Sequence, residues 1–257
     1  MHRIILYSTA VVILASAGAA RAAEEKVPAC TAMDRPCQMK QIEVLAGQIQ
    51  QADWKDQTLR ELAKSYAYEN QTEKAISLID KITNPDTKAM TIRGIGMAAA
   101  SGKWSRGQYN SLFSKLTEKA SQIDHTPSRG IAFTYIAMSQ AFAGDDNGAR
   151  KTAASMDNAA LRNKAYGETA EIQAERGDLK NVLLSLDALD SSAYKNKAYD
   201  TVSRIFLDKA MIEEAYTCAS RIDNAYLKAK SIQRILNAGN SEEADMEPKA
   251  DLSKGTE

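Results

Sequence analysis

The chain has 257 residues, 44% of them hydrophobic and 26% charged, a balance that belongs to folded chains and excludes a wholly disordered one. Basic and acidic residues number 33 each, so no basic footprint points to nucleic acid. Aromatics make up only 6% and there are five prolines, a profile that suits many short helices packed through small residues.

The N-terminal stretch MHRIILYSTAVVILASAGAARA, residues 1–22, has a basic start at Arg3 and an apolar run from Ile4 to about Ala15. Small residues follow, with Ala20-Arg21-Ala22 in the arrangement a signal peptidase accepts. The expectation is a secretory signal peptide cut before Ala23, with a periplasmic or secreted destination. The rival is an uncleaved anchor, but the stretch is short for that and rich in Ala, Gly and Ser. Removing Arg3 and Arg21 leaves 31 basic against 33 acidic residues, a mature net charge of about −2. With His2 in the leader, His125 is left alone in a polar turn, and one imidazole builds neither a His-based triad nor a two-histidine metal site. No metal or cofactor is expected.

Residues 23–36 form an N-terminal extension. Export makes disulfides available, and Cys30 and Cys37 flank a proline in CTAMDRPC. A bridge would pin the extension to the first helix; the alternative is two unpaired thiols, a liability in an oxidising space. Cys218 falls in a helical stretch, as a small core residue.

From residue 37 to 239 the chain repeats itself. MDNAALRNKAYG, LDSSAYKNKAYD and IDNAYLKAKSIQ begin at residues 156, 189 and 222. Asp124, Asp157, Asp190 and Asp223 are spaced by 33 residues, and each serves as the origin of a frame. Position 5 of the frame is a cation in Arg129, Arg162, Lys195 and Lys228. Position 9 is large in Phe133, Tyr166, Tyr199 and Ile232, and position 13 is small in Ala137, Ala170 and Ser203. Position 20 is Gly144, Gly177 or Ala210, position 25 is Ala149, Val182 or Ala215, and Met156, Leu189 and Ile222 close the units. Counting backwards, a unit starts at Gln50, with Leu59, Ala63, Asn70, Ala75 and Ile82 in place. The unit from Thr83 is longer by eight residues, around SGKWSRGQYNSLFSKL. Trp104, Tyr109 and Phe113 there either protrude as a contact ridge or enlarge the core. Half units remain at the two ends, one holding Ile42, Ala46 and Ile49, the other ending near Ala238.

Each unit carries two helical stripes, such as Leu161, Ala165, Thr169 and Ile172, then Val182, Leu183, Leu186 and Leu189. Gly144 and Gly177 suit the left-handed turn between them. Asn84-Pro85, Thr126-Pro127, Asn158, Ser192 and Asn224 are start signals, worth roughly 1 kcal/mol per cap. One helix pair cannot bury its own stripe, but stacking on the next pair can. The half units leave one face each without a neighbour; either those helices are polar enough to serve as caps or they dock on something. Self-association is a separate alternative that the sequence leaves open.

The pattern resembles the tetratricopeptide repeat, whose 34-residue units carry W-x2-L-G-x2-Y, a turn glycine and A-x3-F. Tyr166 and Tyr199 stand at its tryptophan position, Ala170 and Ser203 at its small glycine position, and Gly144 with Ala149 at its turn glycine and following alanine. The period here is 33, proline closes only two joints, and one unit is enlarged. The resemblance implies an all-α fold, a right-handed α-α superhelix or solenoid of about five helical hairpins with a half unit at each end. It also implies a concave groove, lined by first helices, that holds another protein or an extended peptide. Carried onto this chain, the groove includes Arg60, Lys64, Tyr68, Met90, Arg93 and Met97, then Met138 and Phe142, then Lys164, Glu171, Lys197 and Arg204. Further groove positions are Glu175, Asp200, Asp208 and Lys230. The basic start and Met-rich middle suit an acidic segment followed by an apolar anchor; the opposing reading is a set of solvated helix faces with partly core methionines.

Three functions are weighed. A non-catalytic exported scaffold for protein or peptide binding rests on the repeat and the groove. An accessory or catalytic component acting on cell-wall material is the alternative, but acidic pairs such as Glu24-Glu25 and Glu213-Glu214 are adjacent on solvated segments and carry no burial signal. RNA recognition meets near-neutral charge and export. No membrane insertion is expected after signal cleavage. Residues 240–257 are polar and charged without apolar periodicity, and read as a disordered tail.

Overall fold

A computed structural model describes residues 26–238. The predicted signal peptide and C-terminal tail lie outside the described residues. Twelve helices and no strand occur among those described, so the chain is all-α there. They are α1 (Arg35–Gln48), α2 (Ala52–Tyr68), α3 (Thr72–Ile79), α4 (Pro85–Ala100), α5 (Arg106–Ser121) and α6 (Thr126–Phe142). Then come α7 (Asp146–Ala154), α8 (Ala159–Glu175), α9 (Leu179–Asp187), α10 (Ser192–Asp208), α11 (Ile212–Ser220) and α12 (Ala225–Leu236). Every helix packs on the next in sequence, and the even-numbered helices pack in series, α2 on α4, α4 on α6, and so on to α12.

The 33-residue frame accounts for the boundaries. Position 20 is left-handed in all four regular units: Asn70 at φ 58°, Gly144 at 78°, Gly177 at 76° and Ala210 at 57°. Glycine meets that requirement twice without steric cost, whereas Asn70 and Ala210 carry a side chain in the same conformation. Asn84, Asn158 and Asn224 cap their helices through side-chain oxygens, as the spacing predicts. Two start signals move by one residue. Ser191, not Ser192, caps α10, and α6 begins at Thr126 with His125 in the capping position. The His125 ring faces the Ser128 hydroxyl at 2.6 Å, and Ser128 in turn donates to Asp86 on α4.

The small residue at position 13 sets the spacing between helices. Ala63, Ala137, Ala170 and Ser203 are fully buried, as are Ala75, Ala149, Val182 and Ala215 at position 25. The Thr83 unit places Gly96 at position 13, where an added Cβ would run into Ser139 of α6. The enlarged unit resolves as core. The helix α5 has 16 residues against eight or nine in α3, α7, α9 and α11. Trp104, Tyr109 and Phe113 form a ring ladder with centroids 5.5 and 6.0 Å apart, and the last two are buried. No aromatic ridge protrudes.

A polar clamp joins successive units. Asp56, Asn163 and Asn196 occupy position 6, and each accepts the backbone N–H of the residue 27 positions on: Thr83 at 3.0 Å, Asp190 at 3.1 Å and Asp223 at 2.7 Å. Asp56 also accepts from Asn84 N–H at 2.7 Å and the Thr83 hydroxyl at 2.9 Å. Arg129 and Arg162, the position 5 cations, turn back to donate to the carbonyls of Ile123 and Met156 that close the preceding unit. These bonds satisfy backbone groups that the tight joints would otherwise leave without partners. Near the N-terminus, the Sγ atoms of Cys30 and Cys37 stand 2.03 Å apart, at disulfide distance, and tie the extension to α1.

The last helix is fastened by a charge network. Asp200 on α10 is buried, accepts from the Ser231 hydroxyl, and pairs with Arg234 at 3.1 Å and Arg204 at 3.5 Å. Burial opposes its charged form, but the Ser231 bond and the two guanidinium groups outweigh burial and hold the carboxyl below its ordinary range. The Arg162 and Asn163 bonds do the same for Asp190. Each carboxylate binds a proton less readily folded than unfolded, so the unfolded chain takes up protons first as pH falls.

Two predictions follow from the packing. The Ala170→Leu variant loses about 1–3 kcal/mol through overpacking, read by urea denaturation at neutral pH; an unchanged midpoint would remove position 13 as the spacing constraint. Stability is full above the ordinary Asp value of about 4 and falls as pH drops below it. Urea midpoints measured down to acid pH show a shallower fall in Asp200→Asn than in the parent chain; parallel profiles would rule out the network as a source of acid sensitivity.

Candidate functional site

Frame positions 7, 10, 14 and 18 fall along one stripe of each even-numbered helix, three or four residues apart. On α2 these place Arg60, Lys64 and Tyr68 one turn apart. On α4 they place Met90, Arg93 and Met97. The structure brings all six together around one groove of about 350 Å³, with Glu61 and Gly94 completing its lining. A Cβ at Gly94 would lie 3.7 Å from the Lys64 side chain, an ordinary contact, so sterics do not require glycine there.

The electrostatics of this groove are positive. Arg60 pairs with its neighbour Glu61 at 2.9 Å. Lys64 Nζ stands 6.0 Å from the Tyr68 ring, and the Arg93 guanidinium lies 5.4 Å from the Tyr135 ring on α6. Among the described residues neither Lys64 nor Arg93 has an acidic partner. Three cations against one carboxylate leave a local surplus of two positive charges. Apolar surface sits beside them: Tyr68 is 52% exposed and Met90 37%. A pocket that pairs unbalanced cations with exposed aromatic and thioether surface can hold an anionic group and an apolar one at once.

Further along the series the residues separate. Phe142, at the C-terminal end of α6, is 47% exposed. Met138 is partly buried against Ala141, Ala149 and Ile172, so it belongs mainly to the core. Lys164 pairs with Glu168 at 3.6 Å on α8. Burial raises the Glu171 carboxyl, neighbouring Glu168 adds to the rise, and Lys197 and Arg204 oppose it. These five charges form a mixed patch across α8 and α10 with no marked sign. Asp200, expected in the groove, instead anchors α12.

Sequence reasoning missed position 11 of the frame. Glu61, Gly94, Tyr135, Glu168 and Thr201 occupy it, and Tyr135 is the consequential omission. Its ring lies against Arg93, and its hydroxyl donates to the Met90 sulfur at 3.5 Å. The signal was present, because position 11 adjoins positions 7 and 14 on a helix of 3.6 residues per turn.

Two features bear on chemistry. Burial pushes the Cys218 thiol up to about 12, which removes it as a nucleophile near neutral pH. Among the described residues no group of three or more His, Cys, Asp or Glu side chains could hold a metal ion, and no helix is long and apolar enough to cross a membrane. Comparison with protein-family models, with curated proteins and with solved structures finds no match.

Proposed function

We propose that this chain is an exported, non-catalytic scaffold that captures an extended acidic polypeptide. The five helix pairs stack in the tetratricopeptide manner into a right-handed superhelix, and the first helices of the pairs line its concave side. The acidic part of the ligand lies along Arg60, Lys64 and Arg93. An apolar side chain of the ligand settles against Tyr68, Met90 and Met97, with Phe142 further along as a second apolar contact. The C-terminal patch of Lys164, Glu171, Lys197 and Arg204 then sets register through mixed charge, not affinity.

One observation carries this reading. Six residues from two separate repeats, carried over from the tetratricopeptide resemblance, line a single groove whose Lys64 and Arg93 charges have no acidic partner among the described residues. A merely solvated helix face has no reason to gather uncompensated cations beside exposed aromatic and thioether surface. The disulfide-distance pair fits an oxidising compartment, which supports export.

The test is fluorescence anisotropy with two labelled synthetic peptides. One is rich in Asp and Glu with a Leu or Phe anchor, and the other has its charges reversed. The acidic peptide binds, weakens with added salt, and loses at least tenfold in affinity in the Lys64→Glu/Arg93→Glu variant, a change of about 1.4 kcal/mol. Equal binding of both peptides, or no loss in the variant, would sink the proposed groove.

A further inference from the structure

The frame leaves half a hairpin at each end of the described residues, a second helix at α1 and a first helix at α12. Within a hairpin, positions 13 and 16 of the first helix meet positions 25 and 28 of the second. Ser203 donates to the Ala215 carbonyl at 2.8 Å, Thr152 donates to Gln140 at 2.7 Å, and Ser185 donates to Gln173 at 2.9 Å. Burial at these positions is near complete. Ala63, Ala137 and Ala170 are 0% exposed on the first-helix side; Ala75, Ala149, Val182 and Ala215 are 0% exposed on the second-helix side, with Leu78 at 2%.

By the same count, α1 is a second helix with no first helix ahead of it among the described residues. Stepping back 33 residues from Ala75 and Leu78 reaches Ile42 and Leu45, which are 37% and 41% exposed. At the other end, α12 is a first helix with no second helix after it among the described residues. Its position 13 is Leu236, 72% exposed, with Ile232 and Ile235 half-buried beside it. Apolar side chains therefore stand open at the two places where the frame demands a hairpin partner.

We propose that the Leu236 face of α12 docks on Ile42 and Leu45 of α1 in a second copy, completing one hairpin between chains. The register identifies the occupant, because a first helix packs on the second helix that follows it in all five internal hairpins, and in the four regular ones positions 13 and 25 are both buried. The inference uses the stacked register alone and not the groove, so it stands or falls apart from peptide capture. Leu236 opposite Ile42 is bulkier than the internal small pairs, so the helices stand toward the wide end of the roughly 8–10 Å range. Unlike an internal hairpin, the junction costs translational and rotational freedom, which makes it dependent on concentration. Its two surfaces differ, so it joins copies head to tail.

Sedimentation equilibrium of the purified protein, from micromolar to near-millimolar concentration, tests this. The weight-average mass rises at least twofold over that range. The Leu236→Asp variant and the Ile42→Asp/Leu45→Asp variant each stay at the mass of one chain. An equimolar mixture of the two reaches the mass of two chains and stops there, since only one intact junction can form. That recovery also establishes that both variants are folded. A parent protein of constant single-chain mass, a variant that still associates alone, or a mixture that stays at one chain overturns the proposal. So does a mixture that grows beyond two chains. The Lys64→Glu/Arg93→Glu variant associates like the parent even if peptide capture fails.

Discussion

The architecture depends on how closely one helix can approach another at position 13 of the frame. Ala63, Gly96, Ala137, Ala170 and Ser203 occupy it, and all are buried. A small side chain there lets the facing helix seat its own small position 25 residue with little backbone separation, and dispersion contacts follow. The apolar stripes that flank it then meet across each pair and across the even-numbered series. Polar groups are handled by caps, by the position 6 clamp and by buried side-chain pairs within the hairpins, such as Ser185 with Gln173 and Ser203 with the Ala215 carbonyl.

That arrangement explains where chemistry can sit. In the first two units the exposed side chains at positions 10, 14 and 18 carry little of the packing, so charge there is set separately from the core, whereas Met138 at position 14 of the third unit joins the core. The stripe of positions 7, 10, 14 and 18 gathers cations and thioethers in the first two units; in the fourth and fifth both signs are mixed, as in Lys164, Glu171, Lys197 and Arg204. The difference between the two ends of the face is a difference in sequence on a constant scaffold. Tyr135 extends the first region onto α6, holding Arg93 over its ring while donating to the Met90 sulfur.

Much of this was legible in the chain before any coordinates. The burial of Leu59, Ile92, Tyr166 and Tyr199 follows the frame, as does the left-handed turn at Gly144 and Gly177, because packing and steric demands recur at a fixed spacing. The clamp was not legible. Its residues are Asp in one unit and Asn in two others, while Ala89 and Gly130 fill the place elsewhere, and nothing local marks their reach of 27 residues. Asp200 was misplaced for a related reason. Periodicity assigns a face, but the Ser231 and Arg234 bonds that turn its carboxylate toward α12 come from another helix. The Trp104 ladder was ambiguous because an aromatic cluster on a lengthened helix looks the same whether it covers a core or projects from one.

The central claim is that the even-numbered helices advance along one axis instead of closing into a bundle. Spin labels at positions 64 on α2 and 230 on α12, read by pulsed dipolar spectroscopy at low protein concentration, test it directly. Five helix-to-helix steps of roughly 8–10 Å predict a separation of about 40 Å or more. A narrow distribution near about 20 Å, the spacing of helices two steps apart, would contradict the account and remove the groove with it.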